Sequence, residues 1–199
     1  MRTEDEAARW GRLTELLAPF HDAASRTARR LCRSPDEGDD LFQEAVLRAF
    51  EKLPALRDEK RFRSWFYAVL LSMHRSRSRR QFWRRFVSFD GGFAEGEGPA
   101  GEDGATWEEE RLRAERASRA LATLPAVQRE AVVLFEVDGW SIEEVAATQK
   151  VSISAVKSRL ARGRTRLRRH YERLGFGGVA TRATRAPAGL TRKEVCDER

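Results

Sequence analysis

The stretch from Trp140 to Leu160 restricts what this chain can become more than any other. Ser141 followed three residues later by Glu144 is a capping box, which starts a helix by satisfying two of its first backbone N–H groups. Ile142, Val145 and Ala146 supply that helix's buried side, with the small Ala146 where a crossing helix must approach closely. After a short turn, Ser152 caps a second helix. There Ile153, Val156 and Leu160 are expected to face inward, while Lys157, Ser158, Arg159, Arg162 and Arg164 remain outside. This is a helix-turn-helix. Such a unit lays its second helix in the major groove, where Arg or Lys donates to guanine O6 and N7 and neighbouring cations hold phosphates. Arg166, Arg168 and Arg169 extend the phosphate-binding stretch.

The remainder also reads as helix. Leu41, Ala45, Ala49 and Leu53 recur at four-residue steps, with Val46 and Phe50 widening the stripe, so one face of this helix is buried. Leu13 to Leu31 carries Leu13, Leu16, Leu17, Phe20, Ala24 and Ala28 at compatible spacing and reads as its packing partner. Ser34-Pro35-Asp36-Glu37-Gly38 reads as a break between the two. Pro54 ends the second helix, and the pattern resumes from Phe62 to Phe86 with a strongly basic end. From Val87 to Thr106 the chain is Gly-rich and acidic, a composition that builds no core. Helical pattern returns at Trp107, and Pro125 starts a further helix that Asp138-Gly139 closes. No β-type alternation appears. The predicted fold is all-α, with two small helical domains joined by a flexible linker and the helix-turn-helix in the second.

Charge and cysteine usage narrow the function classes. Lys plus Arg is 38 against 31 Asp plus Glu, a net charge of +7 that favours a polyanionic partner. Cys32 and Cys196 form no CxxC pair, so neither a disulfide framework nor a zinc site is indicated, and Cys32 is expected to be partly buried. His21, His74 and His170 are scattered, with no HExxH and no phosphate-cradling glycine motif, and His21 beside Asp22 reads as a surface pair. We therefore expect no catalytic residue, metal or cofactor. No apolar run approaches the ~18 to 20 residues of a membrane span. The acidic start, Met1 to Glu6, lacks a secretory pattern, which places the expected location in the cytoplasm with no direct membrane insertion.

Three blocks resemble the extracytoplasmic-function sigma factors. Leu124 to Arg164, with Val156-Lys157-Ser158-Arg159-Leu160, resembles that family's region 4; Asp39 to Phe50 resembles its region 2.2; and Phe62 to Tyr67 resembles the opening of its region 2.4. They occur in the family's order around the expected linker. The resemblance implies a non-enzymatic subunit that binds core RNA polymerase, at the β′ clamp and β flap, and directs promoter-specific initiation. It also implies an anti-sigma factor as a partner, and exposed apolar patches on both modules. The implied organisation is a region 2 domain over 1–86, a linker over 87–106 and a region 4 domain over 107–174; the basic tail over 175–199 lies beyond the family's usual end and reads as disordered with nonspecific attraction to DNA, or as a regulatory tail that uses Cys196.

The implied sites follow by position. Asp39, Asp40, Gln43 and Glu44 match the surface that docks on the β′ clamp coiled coil, where acidic and amide groups suit a basic helix. Arg57, Lys60, Arg61 and Arg63 supply cations to the reader of the minus-ten element, which captures a flipped base. Trp65 reads as core. Lys157, Ser158, Arg159 and Arg162 match the minus-thirty-five contacts in promoter DNA. Departures from the family pattern are Leu71-Ser72 and Ser76 in place of Arg-Asn and Asp, Phe135 where a basic residue is frequent, and Gln149-Lys150 in place of Leu-Gly. A lysine in that left-handed turn costs ~1 to 2 kcal/mol relative to glycine. A stand-alone helix-turn-helix regulator accounts for the second half equally well, but leaves Asp39 to Phe50 and Phe62 to Tyr67 unexplained.

Overall fold

The structure, a computed structural model, describes residues 2–87 and 105–175. The described residues are helical, with no strand among them, as expected. The first module holds α1 (Arg2–Leu17), α2 (His21–Leu31), α3 (Pro35–Lys52) and α4 (Phe62–Val87). The second holds α5 (Ala105–Ala122), α6 (Ala126–Val132), α7 (Ile142–Gln149) and α8 (Ile153–Arg173). Most of the linker and all but Gly175 of the basic tail, residues 88–104 and 176–199, lie outside the described residues, and Cys196 with them.

Two expectations about the first module need correction. Leu13 to Leu31 is not one helix: a 3₁₀ turn over Ala18–Phe20 separates α1 from α2. Pro19 explains this, because it has no N–H to continue the ladder and its ring clashes with the preceding turn. The break between α2 and α3 is present but falls over residues 32–34, ahead of the expected Ser34 to Gly38. Ser34 is the N-cap of α3 and accepts from Glu37 N at 3.2 Å, and Pro35 stands at the first helical position where it is well tolerated. Leu41, Ala45 and Ala49 from α3 are fully buried against Ala24, Ala28 and Leu31 of α2 and Phe66 and Leu70 of α4. Each large apolar side chain buried in this way contributes ~1.5 to 3 kcal/mol. Trp65 packs against this core, as expected.

Gly38 lets α3 approach α2. A Cβ built there lies 2.4 Å from Arg29 Cα and 2.7 Å from Arg29 N, atoms that cannot yield without moving the helix. Gly38→Ala is expected to destabilise the chain by ~1 to 3 kcal/mol, despite the ~1 kcal/mol that alanine gains in helix propensity. Urea unfolding checks it; a variant as stable as the parent would show that α2 and α3 separate at no cost.

In the second module α6 widens at its end into a π-helical turn, Val133–Val137. Asp138 N then bonds Val133 O and Trp140 N bonds Leu134 O, both at 2.9 Å. This turn delivers Asp138 and Trp140 to the module's surface. The capping box is present in full: Glu144 N donates to Ser141 Oγ and Ser141 N to Glu144 Oε2. Lys150 has φ 56° and ψ 51°, the left-handed turn expected from its position. Ser152 caps α8, accepting from Ala155 N. Ile153 departs from its expected inward position and is 43% exposed. The first turn of α8 precedes the crossing with its neighbours, and burial on α8 begins at Val156 and continues through Leu160 and Gly163. A Cβ on Gly163 would meet Val132 at 2.8 Å, so α6 and α8 also cross closely.

Candidate nucleic-acid interface

On α8, Lys157 and Arg162 are exposed. Buried Val156 and Leu160 anchor the helix between them, so cations and core alternate along it as the helical period requires. Ser158 and Arg159 are half-buried. Arg159 is not free: its Nη1 donates to Gln149 Oε1 at 2.7 Å, and burial holds its pKa below the usual arginine value. Arg164 is engaged with Glu136, its Nε 2.7 Å from Oε1. Farther along, Arg166, Arg169 and Arg173 line a shallow cleft with Thr123 and Glu172.

The acidic set on α3 divides in two. Asp39 accepts both Nε and Nη2 of Arg29, at 2.7 and 3.0 Å, and Glu44 pairs with Arg77 of α4 at 2.6 Å. Arg77 also donates to Glu37 O, so it ties α3 to α4. Asp40 and Gln43 are exposed on the same stretch of α3, near the exposed Leu47. Trp10 stacks on Phe50 at 4.2 Å. With Leu112, Val137, Ile153 and Leu174 exposed on the second module, both modules carry exposed apolar side chains.

Between α3 and α4, Asp58 caps a 3₁₀ turn over Glu59–Arg61 and pairs with Arg61 at 3.4 Å. Arg57, Lys60 and Arg61 are exposed. Arg63 is also largely exposed, but its guanidinium lies 4.7 Å from the ring centre of Trp140, which belongs to the other module.

That contact opens an interface the sequence did not announce. Trp140 meets Tyr67 edge-on at 4.6 Å. Asp138 accepts from Thr27 at 2.7 Å and Arg30 at 2.9 Å. Burial nonetheless raises the Asp138 pKa, with both partners opposing the rise. Arg129 donates to Leu31 O across the interface and to Ala122 O and Leu124 O within its own module, while burial lowers its pKa. Glu130 is fully buried: its Oε1 accepts from His74 at 3.0 Å and stands 3.4 Å from Arg75, both on α4. Its Oε2 accepts from Gln149 at 3.1 Å. The modules are thus docked through buried polar groups, each supplied with a partner by the opposite side. Two atoms there, Trp140 Nε1 and Arg129 Nε, are buried with no hydrogen-bond partner among the described residues.

His21 and Asp22 form an exposed pair at 3.0 Å. Cys32 is more buried than expected, at 7% exposure, and burial pushes its thiol up to about 11. Among the described residues no cluster of three metal-binding side chains occurs, and no helix is long and apolar enough to cross a membrane.

Comparison with known proteins gives two family matches: Sigma-70 region 2 over residues 16–84 and Sigma-70, region 4 over residues 114–167. The chain is 32% identical over 137 residues to the ECF RNA polymerase sigma factor EcfG of Rhodopseudomonas palustris, covering 69% of this chain and 72% of that protein. It is 30% identical over 163 residues to the ECF RNA polymerase sigma factor SigM of Mycobacterium tuberculosis, covering 82% and 79%. Its fold is similar to that of the sigma factor RpoE from Bartonella quintana, solved in complex with the anti-sigma factor NepR, with a TM-score of 0.62 at 24% identity, covering 80% and 96%.

Proposed function

This chain belongs to the extracytoplasmic-function family of RNA polymerase sigma factors, subunits that bind core polymerase and direct promoter-specific initiation without catalysing a reaction, and on that premise we propose how its residues divide the work. Asp40 and Gln43, flanked by the internally paired Asp39 and Glu44, dock on the β′ clamp, and the second module docks on the β flap. Arg57, Lys60, Arg61 and Arg63 hold the non-template strand at the minus-ten element. Lys157, Ser158, Arg159 and Arg162 read the minus-thirty-five element in the major groove. The observation that carries this reading is the exposure of Lys157 and Arg162 on a helix whose opposite face, Val156 and Leu160, is buried. The protein works in the cytoplasm, and an anti-sigma factor covers the exposed apolar side chains when it is inactive.

The docked arrangement is not the one that reads a promoter. The two elements lie about 25 base pairs apart, roughly 85 Å at ~3.4 Å per base pair. A compact chain of 199 residues is only about 40 Å across. The modules must part for both elements to be read, and Arg63 must leave Trp140.

Run-off transcription with core polymerase tests the assignment. The chain is expected to confer discrete start sites on core enzyme, and Asp40→Ala/Gln43→Ala to weaken them at limiting protein concentration while leaving the Arg29–Asp39 and Arg77–Glu44 pairs intact. Specific DNA binding with no initiation on core enzyme would instead favour a stand-alone regulator.

A further inference from the structure

The turn of the helix-turn-helix contains a buried glutamine whose hydrogen bonds leave little freedom. Gln149 is 2% exposed. Its Nε2 donates to Val127 O at 3.2 Å and to Glu130 Oε2 at 3.1 Å. A carbonyl and a carboxylate can only accept, so the nitrogen of the amide must face them and the oxygen must face the other way. There it meets Arg159 Nη1 at 2.7 Å. Arg159 precedes Arg162 by three residues, so the two share the side of α8 assigned to DNA.

A guanidinium is planar and donates through five N–H groups in a fixed fork. With one Nη1 hydrogen committed to Gln149, the plane of Arg159 is held and its remaining edges decide how a base is met. Bidentate donation to guanine O6 and N7 requires two N–H groups aligned along one edge. We propose that Gln149 is a positioning residue for minus-thirty-five recognition: by holding Arg159 it sets the base that this arginine prefers, with guanine's major-groove edge as the ligand. The proposal rests on the reading of α8 as the minus-thirty-five helix.

The arrangement survives the parting of the modules. Val127, Glu130, Gln149 and Arg159 all belong to the second module, whereas His74 and Arg75 use the other oxygen of Glu130. Separation therefore removes the partners of Oε1 and leaves those of Oε2 in place. An apolar residue at 149 has no acceptor for Arg159. The guanidinium then loses its fixed plane and is free to turn toward Glu130 or toward solvent.

The test is base preference measured with holoenzyme on a library randomised over the minus-thirty-five element, for the parent, Gln149→Leu, Gln149→Met, Arg159→Ala, Lys157→Ala and Arg162→Ala. Two apolar variants guard against one that misfolds, and far-UV circular dichroism identifies those that fold. Arg159→Ala is expected to lower discrimination at one base position by about 5- to 150-fold. Gln149→Leu or Gln149→Met is expected to change the preferred base or flatten the preference at that same position. Preferences elsewhere and the salt dependence should stay as in the parent, since no phosphate contact is removed. A folded position-149 variant with the parental preference at the position that Arg159→Ala alters would overturn the proposal. An unchanged profile for Arg159→Ala, with altered profiles for Lys157→Ala and Arg162→Ala, would also overturn it while sparing the reading of α8. Unchanged profiles for all the variants would overturn that reading itself.

Discussion

Trimming Trp140 to alanine is expected to part the two modules while each stays folded. Trp140 is 5% exposed, and its ring contacts are with Tyr67 and Arg63, both of the first module. Truncating a buried tryptophan costs ~3 to 5 kcal/mol. Here the low end applies, because Nε1 is buried without an acceptor and its desolvation penalty is recovered on opening. A loss of about 3 kcal/mol shifts the equilibrium between docked and parted forms by roughly a hundredfold. Each module keeps its own apolar core, Leu41, Phe66 and Leu70 on one side and Leu134, Val145 and Val156 on the other. Small-angle scattering should show a larger radius of gyration at unchanged helix content. An unchanged radius would mean that the polar contacts alone hold the modules together; a loss of helix would mean that one module depends on the other to fold.

Glu130→Ala is expected to be the most costly change at a polar position, about 3 kcal/mol. Breaking a buried ion pair costs ~3 to 5 kcal/mol when the remaining charge has no other partner. Two features hold the cost to the lower end of that range. Arg75 is 28% exposed and can turn its guanidinium to water, and Gln149 retains Val127 O as an acceptor. His74 bears the remainder, since it is 3% exposed and keeps only Ser78 Oγ, at 3.4 Å. Denaturant unfolding of Glu130→Ala, His74→Ala and the double variant forms a cycle, with an expected coupling of ~1 to 3 kcal/mol. Additive losses would show that the 3.0 Å contact adds nothing to docking.

Much of the second module was legible because its signals are short-range. The Ser141 and Glu144 capping box, the Ser152 cap and the burial of Val145, Val156 and Leu160 follow from residues within one or two turns of each other. The left-handed turn at Lys150 was expected from the family pattern, which carries glycine there, and Lys150 adopts it. The buried stripe of α3 was equally readable, since Leu41, Ala45 and Ala49 keep helical period. Misreadings arose where a residue type has two uses. Gly38 looked like chain punctuation, but its missing side chain serves a helix crossing. Pro19 sat inside a continuous apolar pattern that hid the break it imposes. Ile153 matched the apolar stripe, although the stripe reaches its neighbours only one turn later.

The candidate DNA-reading residues divide the same way. Lys157 and Arg162 could be placed from the period of α8, and they are exposed as that period requires. Arg159 sits on the same helix, yet its state depends on Gln149, which is itself held by Val127 and Glu130 about twenty residues earlier in the chain. In the sequence Arg63 is one cation among four, but it alone of that set lies over a tryptophan of the other module.

By itself, then, the sequence determined the helices, their caps, the helix-turn-helix and the family, because each rests on interactions between near neighbours or on residue identities in a fixed order. Tertiary structure alone decided that the modules dock and which charges the docking consumes. Thr27 and Asp138 stand 111 residues apart, and His74 and Glu130 stand 56 apart. Nothing in the local sequence distinguishes a carboxylate that will be buried against a partner at such a distance from one that faces water. The cost of desolvating a charge is offset only where folding brings its counterpart into place, and that position is a property of the packed chain.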